Sequence, residues 1–369
     1  LEVGERQRVE IIKVLYRGAR ILILDEPTSV LVPQEVEELF RNLRELKARG
    51  HTILFIDHKL EEVLAIADTV TVLRQGRTMA TVDPKRVTAS ELAELMVGSE
   101  LPSPSTEPRA VDDHVSLSLS DVMVLDETKR PALDNVSLAV RRGEILGVAG
   151  VEGNGQGELI EAILGLRSIE DGGQILLDGE EISTWSVRRR REARIGYVPE
   201  DRHRRGLLLD APLWENAMLG HQTMEPFARG PLLDRRRSRE ATTRIVKDFD
   251  VRTPSIDTSA RALSGGNQQK LVIGREMAAS PRLLIAAHPT RGIDVGAQAA
   301  VWEELRTARR NGLALLLVSA DLEELLGLAD RLVVMLRGRV VAELDPGTTT
   351  PRQLGGYMTG AEDVTGDEE

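Results

Sequence analysis

Three short stretches carry residue types that could handle a phosphorylated ligand. Leu263-Ser264-Gly265-Gly266-Asn267-Gln268-Gln269-Lys270 passes from a small, flexible Ser-Gly-Gly into a helix-forming run, Asn267 to Ala279. A helix start there gathers a hydroxyl, unpaired backbone N–H groups and the positive end of the helix dipole, which together suit a phosphate. The same residues also make an ordinary loop and helix cap, and taken alone they leave both readings open. Gly150-Val151-Glu152-Gly153-Asn154-Gly155-Gln156-Gly157-Glu158 follows an apolar run and opens another helix, with glycines spaced to let backbone N–H groups cradle a phosphate. Asp25 and Glu26 close the apolar run Ile21-Leu22-Ile23-Leu24. Carboxylates at the C-terminal end of a buried strand stand where an open α/β sheet meets its ligands, although an acidic pair there also makes a solvated turn.

Such residues need strands that end at them and helices that start from them. Ile21 to Leu24 reads as a strand buried on both faces of a parallel sheet. Glu10 to Arg20 before it reads as a helix, and Gln34 to Arg49 after it as an amphipathic helix closed by Gly50. Thr52 to Ile56 is the next strand and Lys59 to Ala67 the next helix. This alternation predicts a doubly wound, mostly parallel sheet. Val115 to Asp126 and Ala132 to Val140, rich in Leu, Val and Ser, read as strands, and Glu144 to Ala149 as the strand before the glycine loop.

The chain of 369 residues suggests two to three domains. Its 41% hydrophobic content is ample for buried cores, yet no apolar run is long enough to cross a bilayer. It has no cysteine, so disulfides and thiol chemistry are excluded. A net charge of −11 and only 3% aromatic residues argue against a chain whose main business is coating nucleic acid.

The sequence repeats itself. Leu1-Glu2-Val3-Gly4-Glu5 aligns with Leu263-Ser264-Gly265-Gly266-Asn267, Asp25 with Ala287, His58 with Ala320, and Ala67-Asp68 with Ala329-Asp330, all at one offset of 262 residues without a gap. The chain therefore reads as the C-terminal part of one cassette, residues 1–97, a Pro- and Ser-bearing linker, 98–114, a whole second cassette, 115–360, and an acidic tail, 361–369. Counted back by the same offset, the first cassette's glycine loop would fall before Leu1, so we expect an N-terminally truncated piece of a longer parent.

With LSGGNQQK followed by an apolar strand and PTRGIDVGA, and LILDEPT in the first half, the chain resembles the ATP-binding subunits of ABC transporters. The closest likeness is to the two-cassette subunits of simple-sugar and nucleoside importers. The resemblance implies a P-loop NTPase cassette of α/β class: a mostly parallel sheet with helices on both faces, an antiparallel β-subdomain and a helical subdomain. It implies ATP and Mg²⁺ as ligands. LILDEPT matches a Walker B motif, which gives Asp25 to the metal and Glu26 to the attacking water as general base. His58 matches the switch histidine at the γ-phosphate, with a structural histidine as the other reading. Ser264, Gly265, Gly266, Asn267 and Gln268 fall on the signature that binds nucleotide.

Gly150, Gly153, Asn154, Gly155, Gln156, Gly157 and Glu158 fall on the Walker A loop, but with departures. Gln156 stands for the phosphate lysine, Gly157 for the Mg²⁺ hydroxyl, and Glu158 adds a negative charge. Glu200 replaces the usual glutamine of the next loop, Ala287-His288 replaces the Asp-Glu pair, and Ala320 replaces the switch histidine. No aromatic residue stands in Asp126 to Pro131 to stack on adenine. In the first cassette's signature, Glu2 and Glu5 put carboxylates where a phosphate should dock, and like charges ~4 Å apart at an effective dielectric of ~20 repel by about 4 kcal/mol.

Family cassettes pack head to tail, each nucleotide lying between the Walker motifs of one and the signature of the other. Asp25, Glu26 and His58 would then share a site with Ser264 to Gly266, with every visible part intact. Gln156, Ala287, His288 and Ala320 would face Glu2 to Glu5, and that site is expected to be nearly dead for hydrolysis. Without the first Walker A loop, this piece alone is expected to be inactive. The implied partners are transmembrane permease subunits and, through them, an extracytoplasmic substrate-binding protein, with no nucleic acid and no direct membrane span. The implied location is peripheral, on the cytoplasmic face of the cell membrane. The insert from Leu207 to Gln222, with Trp214, would face the permease. The arginine runs at 188–194 and 202–205 also read as solvated loops. A soluble two-cassette translation factor and a non-hydrolytic ATP-binding regulator are the alternatives. The short linker without a basic run speaks against the first, and the intact Asp25 and Glu26 against the second. Residues after the first Walker B look more like nucleoside than sugar importers.

Overall fold

The fold is that of a computed structural model, which describes residues 9, 13, 14, 16, 18–28, 31, 33–57, 59–74, 76–97 and 111–360. The chain divides into two compact units. Of the helix expected from Glu10 to Arg20, the described residues 13, 14 and 16 are helical and 18–20 are not; the linker from 98 to 114 lies largely, and the tail from 361 wholly, outside the described residues.

The first unit runs β1 (Ile21–Asp25), α1 (Pro33–Ala48), β2 (Thr52–Ile56), α2 (Leu60–Ile66), β3 (Val70–Arg74), β4 (Arg77–Val82) and α3 (Ala89–Val97). β1 and β2 are parallel, with Ile21 opposite Thr52 and Asp25 opposite Ile56. α1 covers one face of this pair. Phe40 and Leu43 on α1 are buried with Leu22, and Phe40 meets Phe55 edge-on at 5.9 Å between ring centres. The other face is open. Ile21 and Ile23 are 62% and 66% exposed, and Leu54 and Ile56 are also exposed. The expectation of a strand buried on both faces fails here, because no described element of this unit covers the second face.

The second unit adds β5 (Val115–Leu125), β6 (Pro131–Arg141), β7 (Ile145–Ala149), α4 (Gln156–Leu164), β8 (Gln174–Leu177), β9 (Glu180–Glu181), α5 (Val187–Glu192), β10 (Ile195–Val198), α6 (Leu213–Ala217), β11 (Ala228–Arg229), β12 (Leu232–Leu233), α7 (Arg235–Asp248), α8 (Gly265–Ala278), β13 (Leu283–Ala287), α9 (Val295–Arg310), β14 (Ala314–Ser319), α10 (Leu322–Leu328), β15 (Arg331–Leu336), β16 (Arg339–Leu344) and α11 (Pro351–Thr359). Its main sheet has the order β10-β13-β14-β7-β15-β16, parallel throughout except for β16. A separate antiparallel sheet has the order β6-β5-β8-β9. α6 and α7 with the small β11–β12 ribbon form the helical part.

Alternate side chains of β13 and β14 enter two different cores. Leu284, Leu315 and Leu317 join the cluster of α8, α9 and α10, whereas Leu283, Ile285, Leu316 and Val318 join the cluster of β5, β6 and α4. The last four residues correspond, at the offset of 262, to exposed Ile21, Ile23, Leu54 and Ile56.

The repeat is visible in the backbone of each unit. Leu283 pairs with Ala314 as Ile21 pairs with Thr52. The ladder shifts register between Val72 and Leu73, and again between Val334 and Met335. Lys47 pairs with Asp68 at 2.5 Å, and Arg309 pairs with Asp330. Glu26 and His288 share a φ of 45°.

Candidate functional site

β7 delivers the chain to the glycine loop, and all five of its residues are buried, which fixes where the loop begins. Gly155, the residue before α4, has φ 105°, and a Cβ there would lie 3.0 Å from the Ala132 carbonyl and 3.1 Å from Gly338 Cα. No side chain fits this approach. Asn154 pins the loop to the β15–β16 turn: its Oδ1 accepts from the Arg337 N–H at 2.9 Å and its carbonyl from the Gly338 N–H at 3.0 Å.

At the far end of α4, the buried Arg190 guanidinium donates to the carbonyls of Ala162 (2.6 Å), Ile163 (2.7 Å), Ser183 (2.8 Å) and Trp185 (3.2 Å). A cation among the last carbonyls of a helix satisfies its orphan acceptors and opposes its dipole. Burial lowers the Arg190 pKa to about 10.

Gln156 lies across the loop rather than out of it. Its Nε2 donates to the Val151 carbonyl at 3.2 Å, and a Cβ on Gly150 would sit 1.9 Å from that nitrogen. Gly157 supplies no hydroxyl, and Glu158 occupies the first turn, where a helix favours negative charge.

β13, β14 and β7 are neighbours in the sheet, so their C-terminal ends meet around this loop. Ala287, fully buried, offers no carboxylate there. His288 follows in the left-handed region, its N–H donating to the Val318 carbonyl at 2.8 Å. Its Nδ1 accepts from the Ala320 N–H at 3.4 Å, which places the ring proton on Nε2. Burial first, and then Arg291, push the imidazole pKa down to about 4, against the pull of Glu152 and Asp321. The ring is therefore neutral at pH 7 and can donate from Nε2.

One helix further on, the fully buried Glu324 accepts at Oε1 from Thr290 Oγ1 (2.8 Å) and Trp302 Nε1 (3.0 Å), while its Oε2 has no partner. Burial, and then Asp321, raise its pKa to about 7.

The first unit holds carboxylates in the corresponding backbone. Glu26 has the same left-handed φ, and its N–H donates to the Ile56 carbonyl at 2.8 Å. A non-glycine residue in that region is strained and is held there by its surroundings. Asp25 ends β1 beside it. Thr28 Oγ1 donates to Asp57 at 3.0 Å, and Lys59 Nζ lies 3.4 Å from Glu62. His58 and Glu2-Val3-Gly4-Glu5 lie outside the described residues.

Ser264 is the N-cap of α8, which starts at Gly265, two residues earlier than expected. Its Oγ accepts from Asn267 Nδ2 at 2.9 Å and, more loosely, from the Asn267 N–H at 3.5 Å, so both the cap and the exposed helix start are realised. Asn267 Oδ1 accepts from the Arg252 N–H at 2.8 Å. Gln268 turns inward, its Nε2 donating to the Ala260 carbonyl at 3.0 Å and its Oε1 facing His203 Nε2 at 2.8 Å. Gln269 Nε2 donates to the Pro289 carbonyl at 2.6 Å, tying this helix to the turn after β13.

The arginine runs are not simply solvated. Arg190 is buried, and Arg191 pairs at 2.8 Å with buried Glu276. Against its burial, Arg275, His221 and Arg191 hold the Glu276 carboxyl well below the usual range. Arg202 reaches the turn after β13.

The donor sets differ between the units. Asp25 and Glu26 offer the oxygen ligands a hard divalent cation takes. The second unit, with Gly157 and Ala287, lacks them and does not fit Mg²⁺. Among the described residues no group of three or more His, Asp or Glu side chains could hold a metal by itself. Among the same residues no helix is long and apolar enough to cross a membrane.

Residues 133–291 match the ABC transporter family. The chain is 45% identical over 362 residues to the guanosine import ATP-binding protein NupO of Bacillus subtilis, covering 98% of this chain and 71% of that one. It is 42% identical to the nucleoside import ATP-binding protein NupA of Lactococcus lactis, with 98% and 71% covered. It is 41% identical to the ribose import ATP-binding protein RbsA 1 of Rubrobacter xylanophilus, with 99% and 72% covered. Among solved structures, the ATP-binding cassette MJ0796, a post-hydrolysis dimer bound to ADP and phosphate, aligns with a TM-score of 0.54 at 22% identity, covering 62% of this chain and 98% of that one.

Proposed function

The chain belongs to the ABC transporter family, among its import ATP-binding subunits, and from that premise we propose that it couples ATP hydrolysis to uptake of a nucleoside or simple sugar through a membrane permease. One observation carries the mechanism. The same strained turn, with the same backbone hydrogen bond, bears Asp25-Glu26 in one unit and Ala287-His288 in the other.

In this reading residues 1–97 belong to a first cassette, 98–114 to a linker, 115–360 to a second, degenerate cassette and 361–369 to a tail. Glu26 would accept the proton of the attacking water, Asp25 would hold Mg²⁺, and His58 would contact the γ-phosphate. The bound cation supplies charge neutralisation on the phosphates. Ser264, Gly265 and Gly266 complete this site from the second cassette, the two cassettes packing head to tail. Asn267 and Gln268 support that helix start from the side and from below. Gly150 to Glu158 of the second cassette hold nucleotide weakly and do not turn it over, because the lysine, the hydroxyl and the carboxylates are all replaced. Each such electrostatic group is worth about 10² to 10³ in rate.

The protein sits peripherally on the cytoplasmic face of the membrane, bound to permease subunits by the insert that includes the half-buried Trp214, with a substrate-binding protein on the other side. Nucleoside is favoured over sugar by the two relatives named for guanosine and nucleoside import.

The test is ATP turnover by the full-length protein with its permease. Glu26→Gln should remove most of it, whereas unchanged turnover would overturn the assignment. Uptake of labelled guanosine against labelled ribose, with and without the subunit, decides the substrate.

A further inference from the structure

Arg202 opens one wide helical turn, Arg202–Gly206, just after β10. Asp201 starts that turn, its carboxylate accepting from the N–H groups of His203 (3.1 Å) and Arg204 (3.0 Å). The turn fixes the direction of the Arg202 side chain. Nη1 donates to the Arg291 carbonyl at 2.7 Å and Nη2 to the Gly292 carbonyl at 2.8 Å. Nε faces Gln268 Oε1 at 3.4 Å, the oxygen that His203 Nε2 meets at 2.8 Å. These donors go to carbonyls and an amide rather than to a carboxylate, and burial lowers the Arg202 pKa.

The signature rests directly on this group. A Cβ on Gly265 would lie 2.8 Å from Nη2 and 3.0 Å from the Gly292 carbonyl. A side chain at Gly265 would press on the guanidinium and on the backbone of the turn after β13, so one of them would have to give way. Three segments remote in sequence therefore meet on one planar fork: the turn after β10, the first turn of α8, and the Arg291–Gly292 turn. A rigid fork bonded to two successive carbonyls sets distance and orientation together, which a lysine cannot do.

We propose that Arg202 is a positioning residue for ATP hydrolysis, holding the Ser264–Gly266 helix start and the Arg291–Gly292 turn as one rigid body. In this role it acts through the signature. The proposal rests on the reading that this signature completes the site of Asp25 and Glu26.

The experiment measures ATP turnover of the full-length protein with its permease, for Arg202→Ala and Arg202→Lys. Arg202→Ala should lower kcat about tenfold or more, the loss of roughly 1.4 kcal/mol of transition-state stabilisation, with KM for ATP within about twofold. Arg202→Lys should fare little better, because charge without the fork does not hold the turn. Millimolar methylguanidinium should restore part of the kcat of Arg202→Ala, and methylammonium should not. A kcat within twofold of wild type in Arg202→Ala overturns the proposal. So does a loss that tracks a lowered Tm and is not rescued by methylguanidinium. Gly265→Asp is the control. If it leaves turnover intact, the signature is not part of the working site, and that reading falls together with the proposal. If it abolishes turnover while Arg202→Ala does not, the proposal alone falls.

Discussion

Gln156 Nε2 donates to the Val151 carbonyl at 3.2 Å, so the first side chain of α4 folds back across the loop that precedes it. An incoming phosphate would have to displace a neutral amide that returns no charge. Gln156→Lys should tighten nucleotide binding to the second cassette by roughly 5- to 10-fold, since a charge-assisted contact exceeds a neutral one by about 1–1.5 kcal/mol. Titration with a fluorescent ATP analogue reads this directly, and unchanged affinity would show that the loop is closed for another reason. Hydrolysis at that site should stay absent, because Ala287 and His288 still lack carboxylates.

Restoring the acid is the complementary change. His288 already occupies the backbone geometry that holds Glu26, with its N–H on Val318 as Glu26 has its own on Ile56. Gln156→Lys with Ala287→Asp and His288→Glu should therefore give measurable turnover in a protein carrying Glu26→Gln, and any one change alone should not. In the proposed head-to-tail arrangement that site would be completed by the stretch carrying Glu2 and Glu5, so recovery should reach only a small fraction of wild-type turnover, read as phosphate release. Full recovery would show that those acids do no harm.

The repeat, the strand–helix order and the losses at Gln156, Ala287, His288 and Ala320 were legible in the sequence because each is a residue identity at a fixed spacing. What side chains do with one another was not. Ile21 and Ile23 read as buried because apolarity records what a strand can bury and not what covers it. Gln268 read as a nucleotide contact because it follows Ser-Gly-Gly, yet helical periodicity turns it into the core against Ala260 and His203. Arg190, Arg191 and Arg202 read as parts of charge runs, since composition cannot distinguish an arginine in water from one satisfied by carbonyls.

Arg190 gives a stability prediction. Its guanidinium meets four carbonyls and has only 2% of its surface exposed. Arg190→Ala leaves those acceptors buried and opens a cavity at the end of α4. The cost should be about 3 kcal/mol, since each unsatisfied buried polar group costs about 1–3 kcal/mol and partial relaxation recovers some of it. Chemical denaturation of the whole chain measures this, and a change below about 1 kcal/mol would mean that water replaces the guanidinium.

His288 and Glu324 oppose each other in pH dependence. The folded pKa of His288, about 4, lies below its ordinary 6.5. As pH falls from 6.5 towards 4 the unfolded chain takes a proton that the folded chain refuses, so this group removes stability on acidification. The folded pKa of Glu324, about 7, lies above its ordinary 4.5. Its stabilisation is full below 4.5 and is lost as pH rises through 7, because the folded chain keeps a proton that the unfolded chain releases. Each amounts to at most about 3.5 kcal/mol across its window, at about 1.4 kcal/mol per pH unit. Between 4.5 and 6.5 the two slopes cancel in the wild-type protein. Glu324→Gln should therefore unmask a stability that rises with pH relative to wild type, and His288→Gln one that falls. Urea denaturation of the three proteins at half-unit steps from pH 4.5 to 7 gives both difference curves. Curves flat within about 0.5 kcal/mol would show that neither group is held away from its ordinary pKa.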